Sequence, residues 1–327
     1  MDWRPGATRE ILHQRARLYA EIRTFFAARG VLEVETPLLA SATATDLHLA
    51  SCVVGPAGNP AGRGDAPLFL QTSPEFAMKR LLAAGSGPVY QLCKAFRAGD
   101  DGVRHNPEFT LLEWYRPGFA LWQLMDEVEA LLVATLGGAL AFASCGRTTY
   151  RALFVDRFGI NPHSADIGEL RAAVARETSY GNASDLDASA CLDLLFSTGI
   201  EPSLGHECPL FVSGFPVPQA ALARVGENEH GDAVASRCEV YVRGMELANA
   251  YDELTDAQEQ HRRFTADNRA RRSRGLPEIP VDERLLAALV HGLPDCSGIA
   301  LGIDRLLMLR TGCATIDEVL AFSARRC

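Results

Sequence analysis

Arg97 and Phe109 are the first residues whose types and spacing could do chemistry. They stand in FRAGDDGVRHNPEFTLLE, from Phe96 to Glu113. An apolar run, Val89 to Phe96, ends at the arginine. A polar, glycine-containing loop follows, and a second apolar segment carries Phe109 and ends at Glu113, Trp114 and Tyr115. Two strands joined by this loop would set a guanidinium beside an aromatic face. That pair suits a nucleotide, because the cation binds phosphate and the ring stacks on the base. A second arginine, Arg305, stands in SGIALGIDRLLML, where Gly298 and Gly302 let a ligand approach the backbone closely. The chain has neither a GxxxxGKS/T loop nor a GxGxxG turn, so phosphate must be held by arginines and not by a Walker or Rossmann loop.

The elements that must position these residues can be read from periodicity. Ile11, Leu18, Tyr19, Ile22, Phe25 and Phe26 give helical spacing over Thr8 to Arg29, with Gly30 as the stop. VLEVETP, Val31 to Pro37, alternates like a strand. Gly55 to Pro67 is rich in Gly, Pro and Ala and reads as a loop, with a hairpin excursion as the alternative. Leu68 to Leu70 reads as a short strand. In TSPEFAMKRLLAAG, Ser73 fits an N-cap, Pro74 the first turn and Glu75 the positive helix end. Leu121 to Leu136 is an amphipathic helix, and Tyr150 to Gly199 is helical with few residues that look chemical. Arg237 to Arg243, Met245 to Leu254 and Ile299 to Ile303 read as strands, Thr255 to Ser273 as a polar helix and Val281 to His291 as a shorter one. This order predicts an α+β fold, a mainly antiparallel sheet flanked by helices.

Composition narrows the function classes. A chain of 327 residues supports a large core. Hydrophobic content of 47% and charged content of 22% are ordinary for a globular protein. A net charge of −9 argues against broad nucleic-acid binding. No apolar run reaches the length of a membrane span, and no signal-peptide core opens the chain. The nine cysteines are scattered without CxxC pairs, which favours reduced thiols in a cytoplasm over disulfides or zinc.

With these segments in hand, a resemblance is plain. Val31 to Pro37, Phe96 to Glu113 and Gly298 to Arg305 resemble motifs 1, 2 and 3 of class II aminoacyl-tRNA synthetases, in that order. The likeness runs from Thr8 to about Phe322. TSPE, HNPEF, the ELAN…EL segment and GIDR are similar to the lysyl enzymes. VLEVETP, QLCKAFR, HNPEFTLLEWYRP, Gly244 to Leu254 and PDCSGIALGIDR resemble the EpmA family, elongation factor P–(R)-β-lysine ligases that are truncated relatives of those enzymes. Residues 1–327 then read as a single class II catalytic domain with a helical insertion at about 150–200. No anticodon-binding domain is expected, because the motif 1 helix begins within the first ten residues. The resemblance implies activation of (R)-β-lysine with ATP and Mg2+ and its transfer to a lysine of elongation factor P, by a cytoplasmic homodimer paired through motif 1. A membrane role is not implied, and tRNA is not the expected acceptor.

It also implies residue roles. Arg97 holds the α-phosphate and Arg305 the γ-phosphate of ATP, and Phe109 stacks on adenine. His105, Asn106, Leu247 and Gly302 line the nucleotide site. Glu246 acts with the two arginines as the Mg2+ ligand, and Asn249 positions substrate or metal. The two ammonium groups of β-lysine call for carboxylates, Glu75 and Glu253, with Ser73, Pro74 and Tyr115 beside them. Ala300 stands where lysyl enzymes usually have glycine, and its methyl group would favour the β-amino acid. Two departures from the pattern remain. Gly99 replaces the acid usual two residues after the motif 2 arginine, with Asp100 next to it, and Tyr251 replaces a phenylalanine.

Plainer readings stay open. Glu75 also fits a helix-dipole role alone, Glu246 and Glu253 also read as strand-edge acids, and His105 also reads as a loop histidine with a structural hydrogen bond. His48, His163 and His261 read as structural or surface. The run Arg262, Arg263, Arg269, Arg271, Arg272 and Arg274 is either a solvated helix face or a surface for the acceptor protein. A stand-alone lysyl-type or asparaginyl-type adenylate or tRNA ligase, and an inactive synthetase-like regulatory module, are the alternatives.

Overall fold

Thr8 accepts a hydrogen bond from the Ile11 N–H and starts helix α1 (Arg9–Ala27), which ends before Gly30 at φ +65°. The computed structural model of the chain describes residues 3–47, 49–55 and 67–327. The loop expected across 56–66, and His48, lie outside them. Strand β1 (Leu32–Glu33) is shorter than the expected Val31 to Pro37, because only these residues find a partner strand. Short strands β2 (Leu39–Ala40), β3 (Val53–Val54) and β4 (Leu68–Leu70) follow, then helix α2 (Glu75–Ala83). Its cap position is Pro74, not Ser73; the Ser73 hydroxyl still accepts from the Glu75 N–H at 3.0 Å. Strands β5 (Val89–Phe96) and β6 (Glu108–Pro117) form the hairpin that flanks the long polar loop.

Helix α3 (Leu121–Leu136) leads to β7 (Gly146–Thr149). Helices α4 (Tyr150–Phe158), α5 (Ile167–Glu177) and α6 (Ala188–Gly199) are each started by a side chain that accepts from an N–H three residues on: Thr149, Asp166 and Asp187. Strands β8 (Leu210–Pro216), β9 (Val225–Glu227), β10 (Ala233–Tyr241) and β11 (Glu246–Asp252) come next. Helices α7 (Ala257–Ser273) and α8 (Glu283–Gly292) are capped by Asp256 and Asp282. Strand β12 (Cys296–Gly302) runs directly into helix α9 (Ile303–Thr311).

The chain forms two compact units. The first comprises residues 1–119, 134–140 and 255–327. Its larger sheet has the order β1-β5-β6-β12, with β1 parallel to β5 and the other pairs antiparallel; β2, β4 and β3 form a small antiparallel sheet. Period-2 alternation gives β6 two faces. Leu112 and Trp114 are fully buried on one, where Phe26 of α1 stacks on Tyr90 at 4.4 Å and meets Trp114 edge-on at 5.3 Å. Phe109, Leu111, Glu113 and Tyr115 line the other.

The second unit comprises residues 120–133 and 141–254. It holds the expected helices of 150–199, and also a sheet of order β11-β10-β8-β7 with β9 on β10. Its core is aromatic: Tyr150 stacks on Phe154 and Phe196, with Phe215 and Tyr241 against them. The fold is α+β, and antiparallel pairs dominate, with β1·β5 and β7·β8 parallel.

Candidate functional site

The first unit assembles arginines and an aromatic ring around one loop. Arg97 follows β5 directly, and its N–H donates to Pro107 O at 2.9 Å, which closes the base of the loop. Its guanidinium carbon lies 5.0 Å from the Phe109 ring centroid, a cation–π distance. Its Nε is buried with no hydrogen-bond partner, a donor left for a ligand. The loop turns at Gly99, φ +85°, a conformation that disfavours the acid usual at this position. Farther along, Gly102 and His105 bridge backbones, and Asp101 pairs with Arg325 at 2.8 Å. Arg305, near the start of α9, meets His105 Nε2 at 2.7 Å. Arginine only donates, so Nε2 accepts and the His105 ring proton sits on Nδ1. Asn106 is buried, and both ends of its carboxamide are taken: it donates to Glu108 O and accepts from Ala324 N–H at 2.9 Å. These two bonds brace the loop.

The acids come together on the face of β6 that carries Phe109. Glu113 is 2% exposed. Its Oε2 accepts from Ser73 at 2.7 Å and its Oε1 from Tyr115 at 2.7 Å. Burial pushes its carboxyl up to about 7, and the charge of Glu75 adds to this, against Tyr115, Ser73 and Lys79. Glu75 itself is paired with Lys79 at 2.6 Å, one turn along α2, and Lys79 is 1% exposed. Residues directly opposite across a strand pair share a face. By register, Glu113 stands opposite Ala300, Tyr115 opposite Gly298 and Leu111 opposite Gly302. The small residues of β12 therefore leave room over these side chains, and the Ala300 methyl group stands beside Glu113. A cavity of about 350 Å³ lies against α2 and the small sheet, lined by Ser73, Glu75, Thr43, Phe76 and Arg80 among others; Ser73, which donates to Glu113, is its link to that acid.

The second unit has its own polar cluster on β10 and β11. Register places Arg237, Glu239 and Tyr241 across from Tyr251, Asn249 and Glu246. Arg237 donates to Glu239, to Asn249 Oδ1 at 3.2 Å and to Gln219 O at 2.8 Å. Tyr241 donates to the other Glu239 oxygen, and Asn249 Nδ2 donates to Tyr251 at 3.1 Å. The hydroxyl that Tyr251 adds over phenylalanine thus fixes the Asn249 carboxamide. Burial raises the Glu239 carboxyl pKa against the pull of Arg237, and the nearby charge of Glu246 raises it further. Leu247 is buried in β11; Glu253 is 1% exposed, just beyond it. Two neighbouring carboxylates, Glu239 and Glu246, are hard oxygen donors of the kind Mg2+ takes alongside phosphate oxygens. Among the described residues no group of three or more His, Cys, Asp or Glu side chains could hold a metal alone.

The sequence reading missed Glu113, Lys79, Glu239 and Arg237. A signal existed for two of them: an acid inside an apolar strand run, LLEWY or CEVYV, in phase with residues already chosen. Nothing local marks Lys79 as buried. The arginine run on α7 is largely spoken for. Arg262 and Arg263 pair with Glu259, Arg272 with Glu278, and Arg271 is buried against Asp46 O and Pro277 O. His163 is half-buried, and its pKa is lowered, chiefly by burial. Among the described residues no helix is long and apolar enough to cross a membrane.

An arginine over an aromatic ring, a second arginine after a glycine-spaced strand and an acid-lined cavity all belong to the first unit. Residues 1–326 match the family of tRNA synthetases class II (D, K and N), and the chain belongs to that family.

Proposed function

We propose that the amino acid activated is (R)-β-lysine and that the acceptor is a lysine ε-amino group of elongation factor P. Membership of this family supports the coarser part, an ATP-dependent ligase that activates an amino acid as an adenylate. The observation that carries the substrate class is Glu113, a buried carboxylate that accepts from the hydroxyls of Ser73 and Tyr115, with Ser73 and Glu75 lining a cavity. Such a site is suited to an ammonium group, and it disfavours substrates that leave the acid unpaired. Ala300 opposite Glu113 supports a β-amino acid, because its methyl group narrows the wall that the amino acid backbone must pass.

In this reading the substrate carboxylate attacks the α-phosphorus of ATP, and pyrophosphate leaves. Arg97 neutralises charge that builds on the α-phosphate, Phe109 carries adenine, and Arg305, steadied by His105, holds the γ-phosphate. Gly302 leaves space beside Arg305. Glu246 would hold Mg2+, which supplies charge neutralisation at the phosphates. Asn249 and Glu253 complete the substrate set by resemblance. The acceptor amine then attacks the acyl carbon, an amide forms and AMP leaves. A homodimer paired through motif 1 and a cytoplasmic location belong to the same proposal. The second reading, a lysyl-type enzyme charging tRNA with α-lysine, draws on the family match itself.

The test is the intact mass of elongation factor P after incubation with the protein, ATP, Mg2+ and either α-lysine, (R)-β-lysine or (S)-β-lysine. A gain of one β-lysyl group with the (R) isomer supports the proposal. Charging of tRNA by α-lysine with an unmodified elongation factor P would replace it by the second reading.

A further inference from the structure

We infer that Asp304 is a positioning residue for the nucleotide site, fixing the spacing between the Phe109 ring and the Arg305 guanidinium. The inference rests on the reading of those two residues as ATP contacts. Asp304 is 3% exposed and lies in the first turn of α9, directly before Arg305. Its Oδ1 accepts from Arg15 Nη2 of α1 at 2.6 Å. Its Oδ2 accepts from the N–H of Thr110 at 2.8 Å, and Thr110 directly follows Phe109. Strand β12 ends at Gly302 opposite Leu111, so the next N–H along β6 meets this carboxylate where a strand carbonyl would otherwise stand. Arg15 Nη2 also donates to Val319 O at 2.9 Å.

One carboxylate thus ties together the first helix, the strand that presents the ring and the helix that presents the arginine. The three lie far apart in sequence. Each oxygen has one strong, charge-assisted or backbone bond, and the burial makes either loss costly. A shift at this junction moves both ligand contacts relative to each other, and a displacement near 1 Å at a site of this kind costs about a hundredfold.

The experiment measures direct ATP binding, and the KM for ATP and for the amino acid in pyrophosphate exchange. It compares the wild type with Asp304→Asn, Arg15→Met and Arg15→Lys. Asparagine keeps the shape but has one acceptor oxygen, so it cannot serve Arg15 and Thr110 together. The expected result is an ATP KM raised about tenfold in Asp304→Asn and Arg15→Met, with the amino acid KM unchanged. Arg15→Lys, which keeps a cation toward Asp304, recovers most of the loss. Folded variants with a wild-type ATP KM would overturn the inference. So would equal rises in both KM values together with a lower melting temperature, which mark a purely structural role. If Asp304→Asn does not fold, the Arg15 pair carries the test. A wild type that binds no ATP sinks the site reading itself, a separate outcome.

Discussion

Glu113 and Glu239 sit alike in the chain and differ in their company. Each is an acid buried in an antiparallel strand, one in each unit. Glu239 has a guanidinium, Arg237, on one oxygen and a tyrosine on the other. Glu113 has two hydroxyls, from Ser73 and Tyr115, and the buried Lys79 nearby is paired with Glu75. A hydroxyl satisfies a lone pair without cancelling the charge. An acid already joined to a guanidinium acts on its neighbours, here by orienting Asn249 through Arg237. An acid held by hydroxyls is prepared for a cation that arrives from outside. The partners of a buried carboxylate, more than its burial, separate a brace from a binding group.

Substitution of each acid by its amide should break the comparison most clearly. Glu113→Gln is expected to lower kcat/KM for the diamino acid by about 10³, the scale of removing one partner of a buried charge pair, with the KM for ATP nearly unchanged. Glu239→Gln leaves Arg237 buried against a neutral amide, so it should cost about 3 kcal/mol of folding stability and weaken use of both substrates. Pyrophosphate exchange and thermal melts separate the two. Equal effects on ATP and amino acid in both variants would erase the distinction.

A pH series sharpens it. The Glu113 carboxyl rises from 4.5 to about 7 on folding, chiefly through burial. The folded chain then keeps a proton that the unfolded chain loses, so stability falls as pH rises from about 4.5 to about 7. Glu113→Gln should flatten that part of the stability profile. Substrate binding runs the other way, because an ammonium group needs the ionised acid. The amino acid KM should fall as pH rises through about 7 in the wild type and stay level in the variant.

Smaller effects are expected at the edges of the comparison. Ala300→Gly removes one methyl group opposite Glu113 and should shift the preference between β- and α-lysine by about tenfold, the worth of a methylene in a pocket. An unchanged preference would discard Ala300 as the discriminator. Arg262→Ala, at an exposed pair with Glu259, should leave the melting temperature and the exchange rate nearly unchanged.

Much of this was legible in the sequence. The first helix to within two residues, α3 to the residue, the β5–β6 hairpin and the final strand–helix turn follow from helical spacing and alternation. What failed needed tertiary information. VLEVETP has the alternation of a long strand, yet only Leu32 and Glu33 pair, because strand length depends on the partner that β5 offers. The resemblance gives Asn106 a place at the nucleotide pocket, and only the folded chain shows its carboxamide bonded to Glu108 O and the Ala324 N–H. Nothing in TSPEFAMKRLLAAG sets Lys79 apart, and only packing shows that it meets Glu75 inside the protein. The arginines of α7 look like a basic face until Glu259 and Glu278 are seen to neutralise them.

The central claim, that the buried acid Glu113 and the arginines Arg97 and Arg305 serve the activation of a diamino acid, is tested most directly by amino acid-dependent ATP–pyrophosphate exchange. The panel is (R)-β-lysine, (S)-β-lysine, α-lysine and a monoamine analogue that lacks the side-chain amine. The account predicts fastest exchange with (R)-β-lysine, slower exchange with α-lysine and none above background with the monoamine. Exchange supported equally by the monoamine, or by no amino acid at all, would contradict it.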